Sequence, residues 1–95
     1  MDQTEAVRIV HEAIDLVNGQ LPASRRLHKS PETVIAGAGG SLDSLGIVNF
    51  VITLEERAHE VLGTPIKLFD EASLVEKNSP FQTVDTLARF LERLQ

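Results

Sequence analysis

The residues best placed to do chemistry stand in one run, Ser41-Leu42-Asp43-Ser44-Leu45-Gly46-Ile47-Val48, which continues into Thr53-Leu54-Glu55-Glu56. Asp43 is a natural N-cap for a helix that begins at the next residue, because its carboxylate can accept from amides that the helical ladder leaves unpaired. That puts Ser44 in the first turn. A helix start exposes N–H groups and the positive end of the helix dipole, so it favours a phosphate attached to such a serine. The glycine-rich stretch Gly37-Ala38-Gly39-Gly40 lies just upstream and would let another protein's active site reach the hydroxyl. Local physics stops at a serine suited to carry an anion. A plainer reading, in which Asp43 and Ser44 only cap a helix, satisfies the same local pattern.

Other candidates are weaker. His11-Glu12-Ala13-Ile14-Asp15 resembles a helical metal motif, but an aspartate stands where the second histidine is needed, so a solvated helix face is expected. His28 and His59 have no spaced partners. The glycines at 37–40 lack the preceding strand and following lysine of a phosphate loop. A serine-hydrolase elbow would need glycine at position 42, where this chain has leucine. With no cysteine, thiolate metal sites and cysteine nucleophiles are excluded.

The surrounding composition narrows the class further. Nine Lys and Arg against 14 Asp and Glu give a net charge of −5, which disfavours sequence-independent nucleic-acid binding. No apolar run approaches the roughly 18–20 residues of a membrane span, so membrane insertion is not expected. The start, Met1-Asp2-Gln3-Thr4-Glu5, lacks the basic and apolar regions of a signal peptide, and the default expectation is a soluble cytoplasmic protein. Its 95 residues, 42% of them hydrophobic, suit one domain over 1–95 with a modest core.

The elements that must position the serine are helical. Residues 3–18 carry Val7, Val10, Ile14 and Val17 at helical spacing, with Ile9, Ala13 and Leu16 widening that face. Asp2 with Glu5 would cap this helix and Gly19 would stop it. Residues 19–42 form a long first loop holding Pro22, Pro31 and four of the six glycines, and the only basic cluster, Arg25, Arg26 and Lys29. There Ser30-Pro31-Glu32-Thr33 is suited to one helical turn, which would let Val34 and Ile35 dip into the core. Over 44–62, Ile47, Phe50, Val51, Leu54, Ala58 and Val61 share a core face, Gly46, Asn49, Thr53, Glu56 and Glu60 the opposite one, and Gly63 with Pro65 ends the helix. Leu45, Val48 and Ile52 form a second apolar stripe, whose spacing suits core packing or a docking face alike. Ile66, Phe69, Leu74 and Val75 suit a short helix within 66–78, and Val84, Leu87, Leu91 and Leu94 a last helix over 81–94, capped at Ser79-Pro80 or Thr83. No strand is expected. The fold class is all-α, a small four-helix bundle of three main helices and one short one.

With these elements in order, Asp43-Ser44-Leu45, Val48 four residues after the serine and Leu54-Glu55-Glu56 ten to twelve after it resemble the phosphopantetheine-attachment region of acyl carrier proteins. The resemblance covers most of the chain, ending in a helix that opens with a Thr-Val pair, here Thr83-Val84. It implies that Ser44 is esterified to 4′-phosphopantetheine by a phosphopantetheinyl transferase using coenzyme A and Mg²⁺. It also implies a stand-alone carrier with no catalysis of its own, monomeric, presenting acyl groups as thioesters to acyl-transferring and acyl-modifying enzymes. The missing cysteine fits, since the thiol would arrive with the arm. Leu45, Val48 and Ile52, flanked by Glu55 and Glu56, would be the docking face, and Phe50 or Phe81 could line a pocket for an acyl chain.

The chain departs from the family in three places. Ser41 stands where the family usually has glycine, with Gly40 one residue earlier. Gly46 and Asn49 replace residues that are commonly acidic in fatty-acid carriers, and the first loop is long and basic. These departures point to a specialised fatty-acid, lipid or polyketide pathway. Two rivals stay open: a peptidyl or aminoacyl carrier, and a non-covalent helical adaptor that never carries the arm.

Overall fold

Helix boundaries are set by capping residues throughout. The computed structural model describes residues 2–35, 40, 42–63 and 82–93, with Ser44 through its backbone. Among these residues it holds three α-helices, α1 (Gln3–Asn18), α2 (Ser44–Leu62) and α3 (Val84–Glu92), a 3₁₀ turn at Ala23–Arg25, and no strand. The chain is a small all-α bundle. The short helix expected within 66–78 lies outside the described residues.

Helix α1 starts where Asp2 accepts from the Glu5 amide at 2.8 Å, and ends at Gly19 in an ordinary right-handed conformation (φ −61°). It buries Ala6, Ile9, Val10, Ala13, Ile14 and Val17. One expected core residue is misplaced: Leu16 is 52% exposed. At 100° per residue it sits about 90° from the middle of the buried arc, whereas Ala6 falls near that middle. The arc is broad because α2 and α3 both pack against α1 rather than against each other. Alanines at 6 and 13 let the neighbouring helices come close.

Helix α2 buries Ile47, Phe50, Val51, Leu54 and Ala58, with Val61 half-buried at the margin. It ends at Gly63, whose φ of 76° is the left-handed conformation that a side chain would strain. Helix α3 begins three residues later than the expected 81, because the Thr83 side chain accepts from the Thr86 amide and Thr86 returns a bond to the Thr83 amide, closing a capping box. Val84, Leu87, Ala88 and Leu91 face the core. Leu94 lies outside the described residues.

The first loop differs most from expectation. Residues 30–33 close one hydrogen-bonded turn where a single turn was expected, Thr33 N to Ser30 O at 3.1 Å. The 3₁₀ turn forms earlier, at Ala23–Arg25, after Pro22. Ile35 enters the core as expected, while Val34 stays half-buried and forms an isolated antiparallel bridge with Thr83. The carbonyls of Pro31 and Thr33 accept from the Asp85 and Val84 amides at 3.0 Å, so the loop supplies acceptors that the first turn of α3 lacks within itself.

Candidate functional site

Leu42 turns into the core and Asp43 turns out to solvent, and this alternation fixes where α2 starts. Asp43 Oδ1 accepts from the Gly46 amide at 2.8 Å and its carbonyl accepts from the Ile47 amide at 2.9 Å. Ser44 therefore takes the first helical position, directly after the cap. Leu42, the residue before the cap, and Ile47, the fourth helical residue, both belong to the buried cluster. Those are the positions of a hydrophobic staple, which sets the angle at which the chain enters the helix. Leu42 was not among the residues singled out above; an apolar side chain just ahead of Asp43 was the signal for it.

Beside Ser44 the second stripe is open. Leu45 is 69% exposed and Ile52 43% exposed, with Val48 half-buried between them. Of the two roles its spacing allowed, these residues do not fill a core. Glu55 is half-buried and Glu56 exposed on the same helix, one turn beyond Ile52. Asn49 is exposed, and its carbonyl accepts from Thr53 Oγ1 at 2.8 Å. Phe50 is fully buried in the core, and Phe81 lies outside the described residues.

Arg57 has no counterpart in the sequence reading. Its Nη2 and Nε donate to Glu12 Oε1 of α1 at 3.2 and 3.4 Å, and its Nη1 donates to Glu60 Oε1 and Oε2 at 3.3 and 3.5 Å. The first partner lies 45 residues away, a pairing that no local spacing announces. Glu12, set aside above as part of a solvated face, is thus a tie between α1 and α2. No group of His, Asp and Glu among the described residues could hold a metal ion.

Two residues of the basic loop, Arg26 and Lys29, bond to the end of α1 and the turn after it. Arg26 Nε donates to the Asn18 and Leu21 carbonyls at 3.2 Å each, at the negative end of the α1 dipole. Lys29 pairs with Asp15 at 2.8 Å, and the Asn18 side chain both donates to and accepts from the Leu27 backbone. Nearby, Ser30 Oγ donates to Glu32, and that bond, followed by one from the Glu32 amide, holds the Glu32 carboxyl below its ordinary 4.5.

Can the start of α2 hold a phosphate ester? Asp43 satisfies the Gly46 amide, while the Ser44 and Leu45 amides precede the first rung of the helical ladder. A first helical position lies at the positive end of the helix dipole, where first-turn amides lack intrahelical acceptors, so the backbone at this position fits an attached anion. No helix among the described residues is long and apolar enough to cross a membrane. No family model, curated protein or solved structure matches the chain.

Proposed function

We propose that the chain is an acyl carrier protein that bears 4′-phosphopantetheine on Ser44. The observation that carries this reading is the cap: Asp43 bonds the Gly46 amide, so the serine that follows it opens a long helix flanked by exposed Leu45 and Ile52. A serine that only filled a turn would need no open apolar stripe beside it. The arm, when attached, supplies the thiol on which acyl groups are held as thioesters. The chain's own part is to present the serine and to offer a docking surface. Gly46 and Asn49, in place of the acids common in fatty-acid carriers, favour a specialised fatty-acid, lipid or polyketide pathway.

The test is direct. Apo-protein is incubated with coenzyme A, Mg²⁺ and a broad-specificity phosphopantetheinyl transferase, and intact mass is measured. Wild type should gain one phosphopantetheine and Ser44→Ala none. A mass gain on the variant would move the attachment site elsewhere, and an unmodified wild type would favour the non-covalent adaptor.

A further inference from the structure

Asn18 and Gly19 stand side by side at the end of α1, and the pair carries a chemistry of its own. The main-chain nitrogen that follows an asparagine can attack the side-chain amide carbon, and glycine there puts no side chain in the way. The other asparagines lack this neighbour: Asn49 precedes Phe50, and Asn78 precedes Ser79 outside the described residues. In the folded chain both reacting groups are held. Asn18 Nδ2 donates to the Leu27 carbonyl at 2.9 Å, and Asn18 Oδ1 accepts from the Leu27 amide at 2.8 Å. Leu27 is itself only 5% exposed, so a core residue anchors the far side of this clamp. The Gly19 amide donates to the Asp15 carbonyl at 3.2 Å, and Arg26 Nε donates to the Asn18 carbonyl.

We infer that Asn18 is a self-modification site that this clamp keeps shut, so that it converts only when residues 19–27 come away from α1. The Gly19 nitrogen then gives up its proton to a solvent base and bonds to Asn18 Cγ, closing a succinimide. The Cγ–Nδ2 bond breaks, and Nδ2 leaves as ammonia with a proton from water. Water next opens the ring at either carbonyl, leaving aspartate or isoaspartate at position 18. Neither product refastens the clamp. A carboxylate still accepts from the Leu27 amide but has no proton for the Leu27 carbonyl. It also sets a negative charge at the negative end of the α1 dipole, three residues after Asp15. Arg26 balances part of that charge without replacing the lost donor. Isoaspartate adds a methylene to the main chain where α1 ends. An opening of the loop is thereby recorded as a permanent loosening of the same loop, and Ser44 plays no part in it.

The whole chain is aged in mildly alkaline buffer, native and in guanidinium chloride, and conversion at Asn18 is followed by peptide mapping. The unfolded chain should convert chiefly at Asn18, and the folded chain at least about tenfold more slowly, since reaction waits on local opening. Arg26→Ala removes a bond to the end of α1 and should speed the folded-state rate several-fold while leaving the unfolded rate unchanged. Gly19→Ala is the chemical control. A Cβ there meets the Leu16 and Asp15 carbonyls at 3.4 and 3.8 Å, ordinary contact, and φ at Gly19 is −61°. The fold should therefore stand while conversion falls steeply even in guanidinium chloride. Asn18→Asp, which mimics one product, should lower the melting temperature by about 4 °C or more. Equal rates in folded and unfolded wild type would overturn the gate, and an unfolded chain that keeps Asn18 intact would overturn the site. An Asn18→Asp protein as stable as wild type would overturn the loosening.

Discussion

Replacing Asp43 separates what the residue does for the helix from what it does for an enzyme. Its carboxylate makes one cap bond, 2.8 Å to the Gly46 amide, and the residue is otherwise exposed. Removing an N-cap side chain costs about 0.5–2 kcal/mol, typically about 1. Asp43→Ala should therefore lower the melting temperature by about 4–8 °C for a domain of this size. Because the lost bond sits in the first turn of α2, the damage should concentrate there: amide exchange should accelerate at Gly46 and Ile47, the two amides bonded to Asp43, before it does at Leu54. Asparagine caps about as well as aspartate, so Asp43→Asn should keep stability within a few tenths of a kcal/mol. The two variants then split the transfer reaction. If the first turn alone matters, Asp43→Asn carries the arm nearly as fast as wild type and Asp43→Ala is slowed; if the transferase needs the carboxylate itself, both are slow. Thermal unfolding by circular dichroism and intact-mass time courses read the two effects separately. An Asp43→Ala protein as stable as wild type, with unchanged exchange at Gly46, would refute the assignment of this bond as the cap that fixes Ser44.

Two further outcomes follow from burial and from the loop. Phe50→Ala empties a fully buried site and should cost about 3–5 kcal/mol in urea unfolding, whereas Val48→Ala on the half-buried stripe should cost well under about 2 kcal/mol while slowing arm transfer; equal stability losses would put Val48 back in the core. The Glu32 carboxyl is held below 4.5 first by the Ser30 hydroxyl, so Ser30→Ala should move its midpoint up in an NMR titration. With a depressed folded-state value, the associated stabilisation is present above the ordinary range and fades as pH falls through the lowered one, so the part of the Ser30→Ala stability difference that comes from Glu32 ionisation should vanish in acid.

The helices were legible wherever punctuation was local. Asp2 and Gly19 bound α1, and Asp43 and Gly63 bound α2, because each terminus is decided by one side chain and its nearest amides. The same locality exposed Ser44 as a candidate. What was not legible depended on contacts between distant segments. The alternative caps before α3 were resolved in favour of Thr83, which also bridges Val34, and the Pro31 and Thr33 carbonyls complete the first turn of α3 from across the chain. No periodicity within 19–42 encodes that arrangement. Leu16 failed for a related reason: a helix with two packing neighbours has a broad apolar arc, and sequence marks its centre better than its edge. At the candidate site, the charge pattern on α2 needed the structure, since the one Arg57 guanidinium is shared between Glu60 on its own helix and Glu12 on another.

Gly46 and Asn49, two uncharged positions near the start of α2, have different physical settings. Asn49 is exposed, and Thr53 Oγ1 bonds its backbone carbonyl, so the Asn49 side chain is not part of that bond. Gly46 is constrained. A Cβ built there would lie 3.2 Å from Leu42 Cδ2 and 3.3 Å from both Leu42 Cβ and Asp43 Oδ1, tighter than ordinary van der Waals contact. Leu42 is seated in the core and Asp43 is committed to the cap, so neither yields without loosening the start of α2. An aspartate at 46 would add a like charge to that crowding, beside the carboxylate that holds the position-46 amide. Glycine in a first turn normally costs up to about 1 kcal/mol relative to alanine. Here it admits the Leu42 staple and the Asp43 cap together, and both hold the serine between them in place. A carboxylate added at position 49 would therefore report on partner preference, whereas one added at position 46 would perturb the helix start and report on stability instead.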